Sequence, residues 1–346
     1  MRSRHQAHGT APSNDASREG GFAGSSSRAG SGRAPEAGDA RGYRDDGAGA
    51  DADPGSANAG PPLDWNLEEV PIREGMGFGF SAGGLLFPYF VGNAAALRRL
   101  GLVREDTVFA GSSAGSLISS CMVCDLDPEA LMDASLEMYR ELRRSVQRGA
   151  GDAAEDAAGT ADVGIGARLG GSLSRLGIVG SVGETVERYA HKILPADAHL
   201  RASGRLHVAV VRLNRQRPFA QPLYVNQFFS KDDLIAALMT SSHVPLYMNA
   251  KVTNTFRGRA CVDGGLGEHF VPVPPCTEPV QVCCFPGMPF AVDIAPGNVT
   301  PCPYSLRQML QFALLPPSDD KVVELYEMGV NDVLDWAKAR SPSVRC

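Results

Sequence analysis

The stretch AGSSAG, residues 110–115, places a serine at the centre of a Gly-x-Ser-x-Gly pattern. The residues before it, 107–110, are β-branched, aromatic and apolar, which predicts a strand. The uncharged residues 116–124 after it predict a helix of about two to three turns. A serine on a sharp, strained turn from strand to helix is typical of a nucleophile elbow. The stretch therefore predicts an α/β fold with Ser113 as a candidate nucleophile.

A nucleophile elbow needs small residues two positions to either side of the serine, because strand and helix approach each other closely there. Gly111 and Gly115 occupy these positions. Sequences rich in Gly, Ala and Ser also produce the pattern by chance, so an ordinary glycine-rich turn is the alternative interpretation.

An upstream segment, GFGFSAGGLL at residues 77–86, is rich in glycine. A serine hydrolase needs N–H donors aimed at the oxygen that becomes negative in the tetrahedral intermediate, and glycines let the backbone turn its amides toward such a ligand. We predict an oxyanion loop here, followed by a helix at residues 90–100. Its expected donors are the N–H groups of Gly83 and Gly84, together with that of Ala114 in the elbow. A glycine-rich connection that binds no anion is the alternative.

A third motif, CVDGG at residues 261–265, ends an apolar strand with a carboxylate and a glycine turn. Taken alone, Asp263 is best interpreted as a turn residue whose side chain bonds the local backbone.

Together, the order of glycine-rich loop, Gly-x-Ser-x-Gly serine and late Asp-Gly-Gly resembles the patatin-like phospholipase family of lipid acyl hydrolases, which carry a Ser-Asp dyad and no catalytic histidine. The resemblance covers residues 71–337 and is strongest with the adiponutrin-like branch, although Ala82 stands where the family usually has glycine. It implies a three-layer α/β/α fold with a central, mostly parallel sheet, and Ser113 and Asp263 as the dyad. The motif glycines are Gly111, Gly115, Gly264 and Gly265.

A Ser-His-Asp triad is the rival arrangement. In α/β-hydrolases the histidine follows the acid along the chain, and only His269 follows Asp263, six residues later. That separation is short for two triad members on different loops, and His243 precedes the acid, so we predict that neither histidine is the base. A carboxylate with a pKa near 4 is a weak base, so the dyad hypothesis requires Asp263 to be buried, which raises its pKa.

Composition divides the chain into two parts. Residues 1–62 are rich in Gly, Ala, Ser and Pro with few large apolar residues, which predicts a disordered tail, and residues 63–340 predict one hydrolase domain. A net charge of −6 gives no electrostatic basis for binding nucleic acid. The tail has no apolar signal-peptide core, so we expect an intracellular protein, cytoplasmic or associated with membranes or lipid droplets, and not a secreted one. The arginines early in the tail leave a plastid transit peptide as an alternative.

The chain has eight cysteines, but no Cys/His set has zinc spacing. We expect no metal and no organic cofactor, because the nucleophile belongs to the protein. Residues 75–97 carry no charge, yet their glycines, Pro88 and Asn93 favour a strand, a loop and a helix over a membrane span. Residues 149–171 predict a flexible insertion near the cleft and a candidate lid.

The remaining pattern predicts alternating strands and helices. Strands are expected at 206–212, 223–228 and 280–285, a helix at 231–241 capped by Ser230, and a last amphipathic helix capped by Ser318. A helix beginning at Asp127 and Pro128 carries basic residues near its end, which form a solvated face or, alternatively, contact anionic lipid headgroups. They are Arg140, Arg143, Arg144 and Arg148.

These features predict a lipid acyl hydrolase that cleaves carboxylic ester bonds of triacylglycerol, phospholipid or galactolipid, in peripheral contact with a membrane or lipid-droplet surface. A lipid transacylase with the same dyad is one alternative. A non-catalytic lipid-surface scaffold, in which the motifs survive only as structure, is the other. Because a hydrophobic pocket discriminates similar acyl chains weakly, the sequence does not predict the lipid class.

Overall fold

The computed structural model of the chain describes residues 75–157, 181–267, 273 and 278–340. The chain divides between Leu63 and Asp64, and all described residues belong to the second unit. The predicted tail, residues 1–62, and residues 158–171 of the predicted insertion lie outside the described residues, so both stay predictions.

One sheet organises the described residues. Its strands are β1 (Met76–Phe80), β2 (Val108–Gly111), β3 (Leu206–Leu213), β4 (Ala220–Val225), β5 (Asn254–Phe256), β6 (Arg259–Asp263) and β7 (Glu278–Val282). Their spatial order is β5-β6-β3-β2-β1-β7, and β4 pairs with β3 outside this order. Strands β1, β2, β3, β5 and β7 run in one direction and β4 and β6 in the other, which confirms the predicted mostly parallel sheet.

Strand β3 shows why these segments form buried strands. Leu206, Val208 and Val210 pack into the main hydrophobic core on one face of the sheet. Ala209, which lies between them, packs with Ala110 of β2 on the opposite face. Because successive side chains of a strand point to opposite faces, an almost continuous apolar run is what a strand covered on both faces requires.

Helices flank this sheet, as the three-layer α/β/α prediction required. They are α1 (Phe87–Arg99), α2 (Ala114–Val123), α3 (Pro128–Ala157), α4 (Ser181–Ile193), α5 (Ala198–Ala202), α6 (Lys231–Ser241), α7 (Leu306–Leu314) and α8 (Asp319–Arg340). Helices α1 and α8 cross so closely that a Cβ atom at Gly92 would collide with the Tyr326 carbonyl, and one at Gly329 with the Tyr89 carbonyl.

Strand β3 also brings the ends of β2 and β6 together. Val208 pairs with Gly111 of β2, and Val210 pairs with Asp263 of β6. Strand β4 pairs with β3 along both positions, so β2 and β6 share the other edge of β3. Because β2 runs parallel and β6 antiparallel to β3, their C-terminal ends face each other, roughly 7 Å apart along β3. The sheet topology thus places the C-terminal ends of β2 and β6 close together.

Several predicted elements differ at their ends. Strand β4 begins at Ala220, before the predicted 223–228, because its register with β3 extends the hairpin ladder from Val225 back to Ala220. Strand β7 ends at Val282, whereas the apolar run continues to residue 285. In both cases the pairing partner, rather than the apolar pattern, fixes the end. The Ser230 cap is confirmed, since its side chain accepts a hydrogen bond of 3.0 Å from the Asp233 N–H.

Helix α3 continues to Ala157 and so includes the first residues of the predicted insertion 149–171. Two of the arginines on α3, Arg140 and Arg143, pair with Asp319 at the start of α8. These two side chains therefore connect helices and are not a freely solvated face.

Residues 75–97 form β1, a 3₁₀ turn at Gly84–Leu86 and most of α1, as the sequence predicted. Within the described ranges, no helix has both the length and the apolarity that crossing a membrane requires. Helix α7 was not predicted, although Ser305 and Gln308 form a complete capping box at its start.

Candidate active site

Ser113 lies in a strained turn between β2 and α2. Its backbone angles are φ 53° and ψ −127°, and a positive φ is uncommon for a residue with a side chain. A Cβ atom at Gly111 would collide with the Gly115 carbonyl, and one at Gly115 with the Phe80 carbonyl on β1. The two glycines therefore allow the close approach that the elbow geometry needs.

Two hydroxyl groups hold this turn in place. Ser241, the last residue of α6, accepts a hydrogen bond of 2.9 Å from the Ser113 N–H, and both residues are buried. Ser116 donates a bond of 2.7 Å to the Ser113 carbonyl. Sequence reasoning assigned no role to Ser241. A serine at the C-terminal end of a helix carries no signal for a partner 128 residues away.

Asp263 ends β6 and is held by two hydrogen bonds to backbone groups. Its Oδ1 accepts a hydrogen bond of 2.7 Å from the Gly265 N–H, and its own N–H donates to the His243 carbonyl at 3.0 Å. A Cβ at Gly264 would collide with the Ala209 carbonyl of β3, so glycine lets the chain turn tightly against the strand. The carboxylate is only 3% exposed, and Oδ2 has no hydrogen-bond partner among the described residues.

Burial raises the pKa of Asp263 to about 7, while the Gly265 N–H and the Ser113 hydroxyl act in the opposite direction. The Ser113 hydroxyl thus lies close enough to the Asp263 carboxyl group to lower its pKa through hydrogen bonding. Catalytic hydrogen bonds often tighten only when substrate binds. A pKa near neutrality is suited to a general base, so the sequence-based requirement that Asp263 be buried is met.

The oxyanion loop adjoins both groups. Gly84 has φ 53°, and a side chain there would collide with the Ala313 carbonyl of α7. A Cβ at Gly83 would lie 2.8 Å from the Cys284 sulfur. A Cβ at Gly265 would lie 2.6 Å from the Cβ of Ala82, so this loop packs directly on the turn after Asp263.

In the described part of the chain, the N–H groups of Gly83, Gly84 and Ala114 donate to no protein acceptor. They remain available to a ligand oxygen. Their role as oxyanion donors stays a prediction.

The described histidine nearest Asp263 along the chain, His243, contacts it only through the backbone. His243 is buried, and its pKa is lowered by burial, with the Lys251 backbone acting in the opposite direction. Its Nε2 has no partner among the described residues, so its recorded link to Asp263 runs through the backbone. His269 lies outside the described residues. The described ranges also hold no group of three His, Cys, Asp or Glu side chains able to bind a metal.

The site combines a strained serine, a buried carboxylate and unpaired N–H groups at the ends of neighbouring strands of a mostly parallel sheet. Residues 80–276 match the model of a family described as patatin-like phospholipase. The chain belongs to this family, which confirms the resemblance and the enzyme class, lipid ester hydrolase, predicted from the sequence.

Several known proteins are similar to this chain. The human patatin-like phospholipase domain-containing protein 4 is 30% identical over 74% of this chain and 94% of its own length. The mouse omega-hydroxyceramide transacylase is 27% identical over 75% of this chain, which spans only 40% of that protein. The solved structure of the type III effector protein ExoU covers 78% of this chain and 53% of its own, at 13% identity and a TM-score of 0.40.

Replacing Asp263 with Asn removes a charge that folding has to bury. The unfolded carboxyl titrates near pH 4 and the folded one at about 7, so unfolding releases a proton between these values and wild-type stability falls as pH rises through that window. We expect Asp263→Asn to be more stable than wild type at pH 8, by up to about 4 kcal/mol, and to show no such gain at pH 4. Thermal unfolding followed by circular dichroism at both pH values measures this.

The matched control is Asp233→Asn. Partial burial raises the pKa of Asp233, but the hydrogen bonds from Arg257 and the Phe229 backbone lower it by more. This variant should therefore lose stability at pH 8, the opposite sign. An Asp263→Asn gain that is equal at pH 4 and pH 8 would contradict the raised pKa.

Proposed function

We propose that this chain hydrolyses carboxylic ester bonds of acylglycerols or phospholipids, with Ser113 as nucleophile and Asp263 as its base. The observation that carries the proposal is the meeting of β2 and β6 on β3. It brings a strained serine to a buried carboxyl whose pKa is about 7. Triacylglycerol, phospholipid and galactolipid remain the candidate substrate classes.

In the first half of the reaction, the Ser113 Oγ attacks the ester carbonyl carbon while Asp263 accepts the hydroxyl proton. The oxyanion of the tetrahedral intermediate accepts hydrogen bonds from the N–H groups of Gly83, Gly84 and Ala114. Asp263 then returns the proton to the leaving alcohol, which leaves an acyl-enzyme. In the second half, water attacks the acyl-enzyme by the same route and the fatty acid leaves.

Acyl transfer to a lipid alcohol is the second candidate function. It has the same first half, and one relative is named as a transacylase. Product analysis separates the two. Hydrolysis gives free fatty acid whether or not an acceptor lipid is present, whereas transacylation gives acylated acceptor and little fatty acid.

We expect Ser113→Ala and Asp263→Asn each to abolish release of fatty acid from a panel of labelled acylglycerols, phospholipids and galactolipids. Loss of a general base typically costs about 100- to 10,000-fold in rate. The control is His243→Ala, which should reduce turnover by less than about tenfold. All variants are compared well below their unfolding temperatures. An Asp263→Asn variant that keeps most of its activity, or a folded His243→Ala variant as inactive as Ser113→Ala, would overturn the dyad.

Contact with a lipid surface forms part of the proposal. Leu306, Leu310 and Leu314 on α7 are 43%, 46% and 48% exposed. Their spacing of four residues aligns them on one face of the helix. The carbonyl of Ala313, on the same helix, lies against Gly84 of the oxyanion loop. An exposed apolar stripe beside an active site is typical of membrane contact, so we propose that the enzyme works at a membrane or lipid-droplet surface inside the cell.

The double variant Leu310→Asp/Leu314→Asp should weaken binding to phospholipid vesicles and to triacylglycerol emulsions in a flotation assay. Turnover of a water-soluble short-chain ester should change little, because the stripe lies outside the dyad. The control is Leu200→Asp on α5, which makes one such Leu→Asp substitution at a leucine 69% exposed. Equal flotation of all three proteins would refute a role for α7 at the lipid surface.

A further inference from the structure

An apolar cavity, partly open, lies between α1, α2, α3 and α4 and has a volume of about 50 Å³. Its wall on α2 consists of Leu117, Ser120 and Cys121. None of the residues that line it carries a charge. A headgroup with a phosphate or a free amine would find no ionic partner there, whereas a hydrocarbon would find apolar contact on all sides.

One wall of this cavity lies on the helix that follows the proposed nucleophile. Helix α2 starts directly after Ser113, and Leu117, Ser120 and Cys121 follow that serine by four, seven and eight residues. This spacing aligns them on one side of a helix. At a rise of 1.5 Å per residue, the α2 wall extends from about 6 Å to about 12 Å beyond Ser113.

The helix that follows the oxyanion loop also lines the cavity. Phe87, which lines it, is the first residue of α1 and directly follows the Gly84–Leu86 turn. Leu85 within that turn packs among residues of α3 and α4, and the Tyr139 hydroxyl of α3 donates to the Leu85 carbonyl at 2.8 Å. Each of the two segments proposed to hold an ester carbonyl is therefore followed along the chain by a helix that lines the cavity.

The two serine hydroxyl groups in the wall already donate hydrogen bonds. Ser120 donates to the Leu117 carbonyl at 2.7 Å, and Ser135 to the Leu131 carbonyl at 2.6 Å. An apolar ligand can cover these serines without stripping a polar group of its hydrogen bond.

We propose that this cavity binds the acyl chain of the ester that Ser113 attacks, and that two small residues of its wall, Ala134 on α3 and Ala190 on α4, set the length of chain accepted. The inference rests on the proposed function, because it needs an acyl group at Ser113. The leaving alcohol and its headgroup then lie outside the cavity.

The first test is selectivity for chain length. The Ala134→Leu variant adds bulk to the cavity wall, so kcat/KM for p-nitrophenyl decanoate should fall by about tenfold or more relative to wild type, while kcat/KM for p-nitrophenyl acetate should stay within about twofold. The control is Ala130→Leu, the same substitution at an exposed position of α3, which should leave the ratio of the two values unchanged. Wild type that cleaves both esters, with the same ratio in Ala134→Leu, would overturn the inference and leave the proposed function standing. Wild type that cleaves neither ester would overturn the proposed function.

The second test uses the wild-type protein, so it tests the inference even if the Ala134→Leu variant does not fold. A fluorophosphonate with a long alkyl chain and a terminal diazirine is attached to Ser113 and irradiated, and the cross-linked peptides are identified by mass spectrometry. We expect cross-links within α3 and α4, at the peptides that contain Met138 or Ile193. Labelling of Ser113 with cross-links only outside these helices would contradict the cavity. Failure of the probe to label Ser113 would count against the dyad instead.

Discussion

The approach of β2 and β6, end to end along one edge of β3, is the constraint on which the rest of the site depends. A parallel strand and an antiparallel strand stop two residues apart on the same partner, at Val208 and Val210. Their continuations have to turn away, one into α2 and the other into the Gly264–Leu266 turn. Glycines make both turns tight enough to pack on the sheet. Ser113 and Asp263 therefore lie close together because β2 and β6 end at neighbouring positions on β3.

Burial then gives the carboxylate its chemistry. Asp263 carries one strong hydrogen bond, from the Gly265 N–H, and one oxygen without a partner among the described residues. A carboxylate exposed to solvent is too weak a base at neutral pH. A carboxylate that accepts hydrogen bonds at both oxygens would keep a low pKa and would also be a weak base. Burial raises the pKa of Asp263 to about 7, and its few hydrogen-bond partners lower it only in part. A histidine base would titrate in the same range, so a pH profile of wild type alone does not distinguish the two.

The sequence predicted the features that depend on residues close together along the chain. The elbow around Ser113, the Ser230 cap and the glycine-rich loop each follow from residue types at fixed spacing, and the family resemblance supplied Asp263. The contact between Ser241 and Ser113 was not predictable, because it joins positions 128 residues apart through the packing of α6. Helix α7 was missed although Ser305 caps it, and the ends of β4 and β7 depend on the neighbouring strands rather than on their own side chains.

The most direct measurement of the central claim is the rate at which a fluorophosphonate labels Ser113 as a function of pH, in wild type and in Asp263→Asn. If Asp263 activates the serine, the wild-type rate should rise with a midpoint near pH 7, as the carboxyl loses its proton. Asp263→Asn should label slowly, with no inflection between pH 5 and 9. A rate and midpoint unchanged in the folded Asp263→Asn variant would contradict the account, because another group would then accept the proton of Ser113.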